Sequence, residues 1–385
     1  MTPAARYATA AELCDLIASG EPAERALTRW ARQARYAGSK DRAAVRDHVF
    51  DILRRWRSVA VAGGGETGRA RVLGLLRLEG LDPEGIFTGE GHAPAPLSEV
   101  ERAAGRSPEG RETWEMPGWL CDRVASAYGA EAEAITHALR HRAPVTLRVN
   151  ALKTGVVAAQ AALAAEGIET APNPLAPMAL TVTGNARRVA ASRAYLEGLV
   201  ELQDAASQTV VELLPLEPGM AALDLCAGGG GKTLGLAARL GGGPVDAHDA
   251  DAGRMSNLPM RAGRAGAEIR IRTEPEGEYD IVLADVPCSG SGAWRRAPEG
   301  KWRLTESGLD DLLTTQDGIL NHAASLVAPG GTLAYATCSI LPEENAERVS
   351  AFLHRAPGWS VVLERQFLPD AQGDGFYTAQ LRRER

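Results

Sequence analysis

Two cysteines and one aspartate carry the sharpest chemical signal in this 385-residue sequence. Asp285 and Cys288 stand in Leu283-Ala284-Asp285-Val286-Pro287-Cys288-Ser289-Gly290-Ser291-Gly292, and Cys338 in Tyr335-Ala336-Thr337-Cys338-Ser339. Each run follows a short apolar stretch that reads as a buried strand. A free cysteine, with a pKa of about 8.5, is only a few per cent thiolate at neutral pH, so a working nucleophile needs a lowered pKa or a nearby base. Methylating carbon 5 of a pyrimidine is one reaction that demands such groups. That carbon is too weakly nucleophilic to attack a methyl sulfonium directly; a thiolate added at carbon 6 makes it enamine-like, and a base then removes the carbon-5 proton before the thiolate leaves. A lone strand-end cysteine is more often a small buried residue. Two of them beside Asp285 favour chemistry.

A second cluster reads Leu223-Asp224-Leu225-Cys226-Ala227-Gly228-Gly229-Gly230-Gly231-Lys232-Thr233. Glycines between a strand and a helix let a ligand approach the backbone closely and leave helix N–H groups pointing at it. A P-loop requires GxxxxGK[ST]; Gly231-Lys232-Thr233 fit, but Cys226 occupies the place of the first glycine. The dinucleotide pattern GxGxxG fails as well, because Thr233 follows Gly228 and Gly230 where a glycine is needed, and Leu234 follows Gly229 and Gly231. A nucleoside cofactor without a phosphate requirement remains, and S-adenosylmethionine is the common one. Asp249 lies 21 residues after Gly228, close to the spacing of about 20 for an acid that accepts hydrogen bonds from ribose hydroxyls, although dinucleotide sites share it. For Asp251 a capping or solvated role is expected.

Those residues need strands to end where they stand. Strands are predicted at 222–225, 245–248, 281–285 and 332–337, with Pro329-Gly330-Gly331 as a turn, and helices at 233–240 and 309–327. Such alternation favours an α/β fold with a parallel, doubly wound sheet and ligands at the carboxyl ends of its strands. Upstream, a small α+β unit is expected over 113–206, with helices at 117–128 and 156–166 and strands at 145–150 and 180–183. The first 112 residues read as an all-α domain, with apolar stripes Ala23, Ala26, Leu27, Trp30, Ala34 and Val45, Val49, Ile52, Leu53, Trp56 at helical spacing. The segment 207–385 would then be the catalytic domain.

Composition bounds the partners. Five cysteines without CxxC or Cys/His spacing point to neither a disulfide framework nor a metal site. No run approaches the roughly 18 apolar residues of a membrane span, and the opening MTPAARYATAAEL has no cationic stretch ahead of an apolar one; a soluble, cytoplasmic monomer is the expectation. The formal charge of −7 argues by itself against electrostatically driven nucleic-acid binding. It conceals a segment, 24–57, with ten Arg or Lys against four acids. That segment is either a solvated helix face or a phosphate-binding surface. Only four basic residues are lysines (Lys40, Lys153, Lys232, Lys301), as a GC-rich genome would produce.

The segments LDLCAGGGGKT, ADVPCSGSG and YATCS, with VELQDAASQ upstream and GDGFY near the C-terminus, resemble the RsmB (Sun/Fmu) type of RNA 5-methylcytosine methyltransferase. LRVNALK and the N-terminal helices are more loosely similar to that group and its NusB-like RNA-binding domain. The resemblance implies a Rossmann-like methyltransferase sheet, S-adenosylmethionine as cofactor, and RNA, with ribosomal RNA expected, as substrate. It makes Cys338 the nucleophile, Cys288 the second cysteine that helps release product, and Asp285 a contact to the cytosine. The loop Cys226, Ala227, Gly228, Gly229, Gly230, Gly231, Lys232, with Asp249 and Asp285, would hold the cofactor, Lys232 pairing with carboxylates. Arg295, Arg296, Lys301 and Trp302, in WRRAPEGKW, match a family stretch beside the active site, whose cations would contact the RNA backbone. Two departures stand out: Gly228 and Gly229 replace the Ala-Pro of the family loop CAAPGGKT, and the third family acid is absent from IRIRTEPEGEYD, where Glu274 or Glu276 would have to substitute. An RNA-binding assembly factor with a vestigial methyltransferase half is the alternative reading.

Overall fold

The computed structural model describes residues 1–384. They divide into two compact units: Met1–Arg142 together with Trp294–Arg303, and Ala143–Ala293 together with Leu304–Arg385. The expected boundaries at 112/113 and 206/207 fall inside these units. The helix Gly118–Tyr128, which buries Leu120, Cys121 and Val124, belongs with the helices before it, and the small sheet after it belongs with the large one.

The first unit is all-α. Its helices α1 (Pro3–Ala18), α2 (Ala23–Gln33), α3 (Ser39–Arg54), α4 (Trp56–Gly63) and α5 (Gly68–Leu78) enclose an apolar interior. Thr2 starts α1 by accepting from the Ala5 N–H, with Pro3 at a position where its missing N–H costs nothing. The two predicted stripes are its core: Ala23, Ala26, Leu27, Val45, Val49, Ile52 and Leu53 are buried, and Trp30 and Trp56 pack half-buried against them. No helix among the described residues is long and apolar enough to cross a membrane.

In the second unit, strands β1 (Thr146–Val149), β2 (Glu169–Pro172), β3 (Ala179–Gly184) and β4 (Val200–Leu202) form an antiparallel sheet of order β2-β3-β1-β4. The helix Val156–Ala165 lays Ala159 and Leu163 against Leu147, Val149 and Leu180 of that sheet. Of its strands, the sequence patterning had predicted β1 and β3.

The large sheet contains β5 (Ala222–Asp224), β6 (Val245–Ala247), β7 (Ile269–Ile271), β8 (Tyr279–Asp285), β9 (Val327–Thr337), β10 (Trp359–Phe367) and β11 (Phe376–Arg383), in the order β10-β11-β9-β8-β5-β6-β7. β5 to β9 run parallel, as expected, and β10 and β11 close one side as an antiparallel hairpin. Successive side chains on a strand point to opposite faces. On β8, Val282 and Ala284 meet Leu320 and Ala323 of the helix Glu306–Ser325, while Ile281 and Leu283 meet Leu236 and Ala237 of the helix Gly231–Arg239. Both faces are covered, which is why these strands read as continuous apolar runs. Pro329-Gly330-Gly331, expected as a turn before the strand, lies inside β9 at an irregularity in its pairing with β8. The chain leaves β5 toward β6 and β7 on one side and returns to β8 and β9 on the other, so the crevice for a ligand opens at the carboxyl ends of β5 and β8.

Candidate active site

Parallel pairing brings the two cysteine loops together. Asp285 is the last residue of β8 and pairs in register with Ala336 of β9, so Cys288 and Cys338 leave the sheet at the same edge. Their sulfurs lie 3.4 Å apart in hydrogen-bond contact, and both residues are half-buried, unbonded thiols. The hydrogen bond with Cys338, followed by burial, pushes the Cys288 thiol well above its ordinary pKa. The loops are seated on backbone: the Gly292 N–H donates to the Cys338 carbonyl (2.9 Å) and the Gly375 N–H to the Gly292 carbonyl (2.9 Å). A Cβ on Gly292 would lie 2.1 Å from the Gly375 oxygen, so only glycine permits this approach.

The glycine loop faces them. β5 ends at Asp224, the chain turns through Gly228 (φ 51°) and Gly230 (φ 82°), and the helix Gly231–Arg239 begins. Lys232, buried on the first turn of that helix, places Nζ 2.6 Å from Asp285 Oδ2 and 4.8 Å from the centre of the Phe376 ring. Asp224 is buried beside it; Oδ2 accepts from Thr233 Oγ1 (2.7 Å), whereas Oδ1 has no partner among the described residues. Burial pushes the Asp224 carboxyl up to about 7. Burial, and after it the neighbouring Asp224, pushes the Cys226 thiol far up.

Together these residues line a cavity of about 560 Å³ whose wall includes Asp224, Gly228, Lys232, Asp285, Cys288 and Cys338. This is a volume suited to a nucleoside-sized ligand. Cys226, Ala227, Gly229 and Gly231 of the expected loop also line it. The unpartnered Asp224 oxygen offers an acceptor to a ligand cation or N–H, and the glycine cradle offers backbone free of side chains, so the residues fit a nucleoside cofactor carrying an ammonium group.

Some expected residues stand elsewhere. Asp249 follows β6 as expected, but the chain itself engages its carboxylate: Oδ2 accepts from the Gly228 N–H (2.8 Å), Oδ1 from the Asp251 N–H (3.0 Å), and Arg254 lies 3.2 Å away. It holds the loop from behind and is not on the cavity wall; Gly230, packed toward Leu258, is not there either. Asp251 does cap, accepting from the Gly253 N–H. Glu274 and Glu276 are exposed and line no part of the cavity. The cations of WRRAPEGKW are the clearest correction. Arg295 and Lys301 are buried in the helical unit, where Arg54 Nε donates to the Arg295 carbonyl (2.8 Å) and Lys301 Nζ to the Arg54 carbonyl (3.3 Å). Burial pulls the Lys301 ammonium down to about 8 despite the opposing charge of Glu115. Both side chains are thus withdrawn from the surface where an RNA contact was expected, whereas Arg296 is exposed.

Other site residues carried no signal beyond their neighbourhood. Gln203 and Ser207 line the cavity, and Arg148, buried on β1, donates to both the Gln203 side chain and the Gly231 carbonyl. Glu344, six residues after Cys338, lies buried between the two cysteine loops.

Comparison with known proteins agrees with this geometry. A family profile described as 16S rRNA methyltransferase RsmB/F matches residues 211–382, and one described as the ferredoxin-like domain of RsmF/B-like methyltransferases matches residues 116–189. A relative from Cronobacter sakazakii named ribosomal RNA small subunit methyltransferase B is 36% identical over 285 residues, covering 70% of this chain and 66% of its own length. The chain thus matches just under two thirds of that relative. The solved structure of a methyltransferase homologue from Pyrococcus horikoshii superposes with a TM-score of 0.63 at 24% identity, over 70% of this chain and 96% of its own. Another solved structure covers 100% of this chain and 99% of its own, with a TM-score of 0.78 and 24% identity, so the fold of the all-α region has a solved counterpart too. Sheet order, paired cysteines and profile match converge: over residues 211–382 this chain is similar to the RsmB/F methyltransferase family.

Proposed function

We propose that this chain methylates carbon 5 of a cytosine in RNA, with ribosomal RNA as the expected substrate, through a transient bond between Cys338 and carbon 6. The observation that carries the reading is the pair of thiols 3.4 Å apart beside Asp285, on the wall of the same cavity as the glycine loop. S-adenosylmethionine supplies an electrophilic methyl on a sulfonium when bound; Cys226 to Gly229, Gly231 and Lys232 would hold it, with Asp224 available to its ammonium. Cys338 Sγ, as thiolate, forms the bond to carbon 6 and places the electron pair on the ring, which makes carbon 5 nucleophilic. After methylation the carbon-5 proton passes to a base, the ring electrons re-form the double bond, and the sulfur leaves with its pair. Cys288, already hydrogen-bonded to Cys338, stands where it can give a proton to the departing sulfur. Asp285, fixed by Lys232, presents its other oxygen to the base. The target must be unstacked for carbon 6 to reach Cys338; that costs a few kcal/mol and favours an unpaired nucleotide.

Incubation with methyl-labelled cofactor and total RNA, followed by mapping of the modified nucleotide, tests the reading. Wild type is expected to label a cytosine, Cys338→Ala to lose labelling while still binding RNA, and Cys288→Ala to accumulate a protein–RNA adduct of slow mobility. Labelling by Cys338→Ala would overturn the nucleophile assignment, and RNA binding by wild type without labelling would favour the assembly-factor reading.

A further inference from the structure

One buried carboxylate touches both cysteine loops and is used by no step above. Glu344 is fully buried in the turn Pro342–Glu344. Its Oε1 accepts from the Ser289 N–H (2.7 Å) and from Gln316 Nε2 (3.1 Å), and its Oε2 accepts from the hydroxyls of Ser289 and Ser339 (2.5 Å each). Ser289 directly follows Cys288, and Ser339 directly follows Cys338. The Ser339 hydroxyl accepts in turn from the Leu341 N–H (2.9 Å) and meets Ser291 Oγ (2.8 Å), which accepts from the Ile340 N–H (2.8 Å). With two N–H groups that can only donate and two hydroxyls aimed at it, the group is placed as an acceptor-only carboxylate. The other groups around it are Tyr335, whose hydroxyl donates to the Glu344 carbonyl (2.6 Å), and Arg348, which is tied to Asp317 (2.9 Å). Asp285 and Lys232 are paired to each other at the end of β8.

We propose that Glu344 is a positioning residue for the two thiols: it clamps the loops that carry them in sulfur contact, and its negative charge behind Cys288 leaves the proton on Cys288 and the thiolate on Cys338. The clamp is asymmetric. Two bonds reach the residue next to Cys288 and one reaches the residue next to Cys338, so the carboxylate is tied more firmly to the Cys288 loop. A fixed like charge disfavours ionisation of a neighbouring thiol, and the charge of Glu344 is among the causes that raise Cys288. Removing one of two thiol protons then draws it from Cys338, the sulfur that the proposed function uses as nucleophile. This inference rests on that reading for its purpose but not for its measurement.

The test is the pH dependence of carbamidomethylation by iodoacetamide, resolved for each cysteine by peptide mass spectrometry, on the full chain without RNA or cofactor. In wild type Cys338 is expected to react at lower pH than Cys288. In Glu344→Gln, which keeps an acceptor but not the charge, the Cys288 midpoint is expected to fall by about one pH unit. Methyl transfer should fall tenfold or more as the loops loosen, given that a misplacement of about 1 Å can cost about 100-fold. Glu344→Asp retains the charge but reaches only one loop, so it should restore the order of reactivity and not the transfer rate. A folded Glu344→Gln with unaltered thiol profiles would overturn the proposal. So would a wild-type chain in which Cys288 reacts first, a measurement that needs no variant to fold. Failure of the methyltransferase reading would show instead as unlabelled RNA from wild type, with the alkylation profiles unaffected.

Discussion

Lys232→Met offers a quantitative check on the electrostatics of the cavity. Methionine has nearly the length and volume of lysine, so the substitution removes the ammonium while leaving the packing against Phe376 in place. The lysine side chain is 8% exposed and the Asp285 side chain 30% exposed. Removing one member of a buried ion pair typically costs about 3–5 kcal/mol, because the other charge is stranded. Asp285 retains partial hydration, which reduces that to about 2 kcal/mol. For a unit of 150–250 residues 1 kcal/mol corresponds to about 2–4 °C, so the melting temperature of the second unit should fall by about 4–8 °C. The loss comes from a carboxylate without its cation, in a pocket that already holds the buried Asp224. It should therefore shrink at pH 5, where the Asp224 carboxyl, pushed up to about 7, carries its proton and no longer adds a like charge beside Asp285, and be fully present at pH 8. Scanning calorimetry at the two pH values measures this, and titration with S-adenosylmethionine should show weakened binding in parallel. A melting temperature within 1 °C of wild type at pH 8 would refute the assignment of Lys232 as the cation that stabilises this carboxylate cluster.

Two further outcomes follow from the same loop. Asp224 holds its proton up to about pH 7 when folded but loses it near pH 4 when unfolded, so the folded state carries the extra proton between those values. Its contribution to stability is thus largest at low pH and declines by about 1.4 kcal/mol per unit as pH rises through that window, levelling off above 7; Asp224→Asn should abolish this slope, and urea unfolding between pH 5 and 8 would show a persisting slope if the reasoning were wrong. Gly230 has φ 82°, and a Cβ there would lie 2.2 Å from Leu258 Cδ1. Gly230→Ala should therefore cost about 1–2 kcal/mol in strain, lowering the melting temperature by a few degrees and loosening cofactor binding, both absent if the loop tolerates a side chain.

How much of this was legible in the residues depends on the range of the interaction that decides it. The strands ending at Asp224, Asp285 and Thr337 and the two flanking helices were visible, because apolar runs and turn residues are local signals. β10 and β11 were not. Trp359–Phe367 is a largely exposed outer strand, and Phe376–Arg383 becomes a buried inner one only because β9 lies on one side of it and β10 on the other. Asp249 was placed correctly along the chain by its spacing, yet spacing cannot say that Gly228, Asp251 and Arg254 would engage its carboxylate. Glu344 had no signal at all, since an acid in a turn is ordinarily solvated; it matters only because Ser289, Gln316 and Ser339 converge on it.

The chemical groups of the site are set by the sequence: residue type decides that a thiol can serve as a nucleophile and that consecutive glycines can bare a backbone, and strand periodicity decides that such groups stand at strand ends. Tertiary structure alone decided which of them meet. Two sulfurs 50 residues apart in sequence come to 3.4 Å because β8 and β9 pair in parallel register, and Lys301 leaves solvent to donate to the carbonyl of Arg54, 247 residues earlier. Contacts of that span exist only once the chain has closed on itself, and a charge or a thiol acquires its environment, and with it its role, from the neighbours that closure supplies.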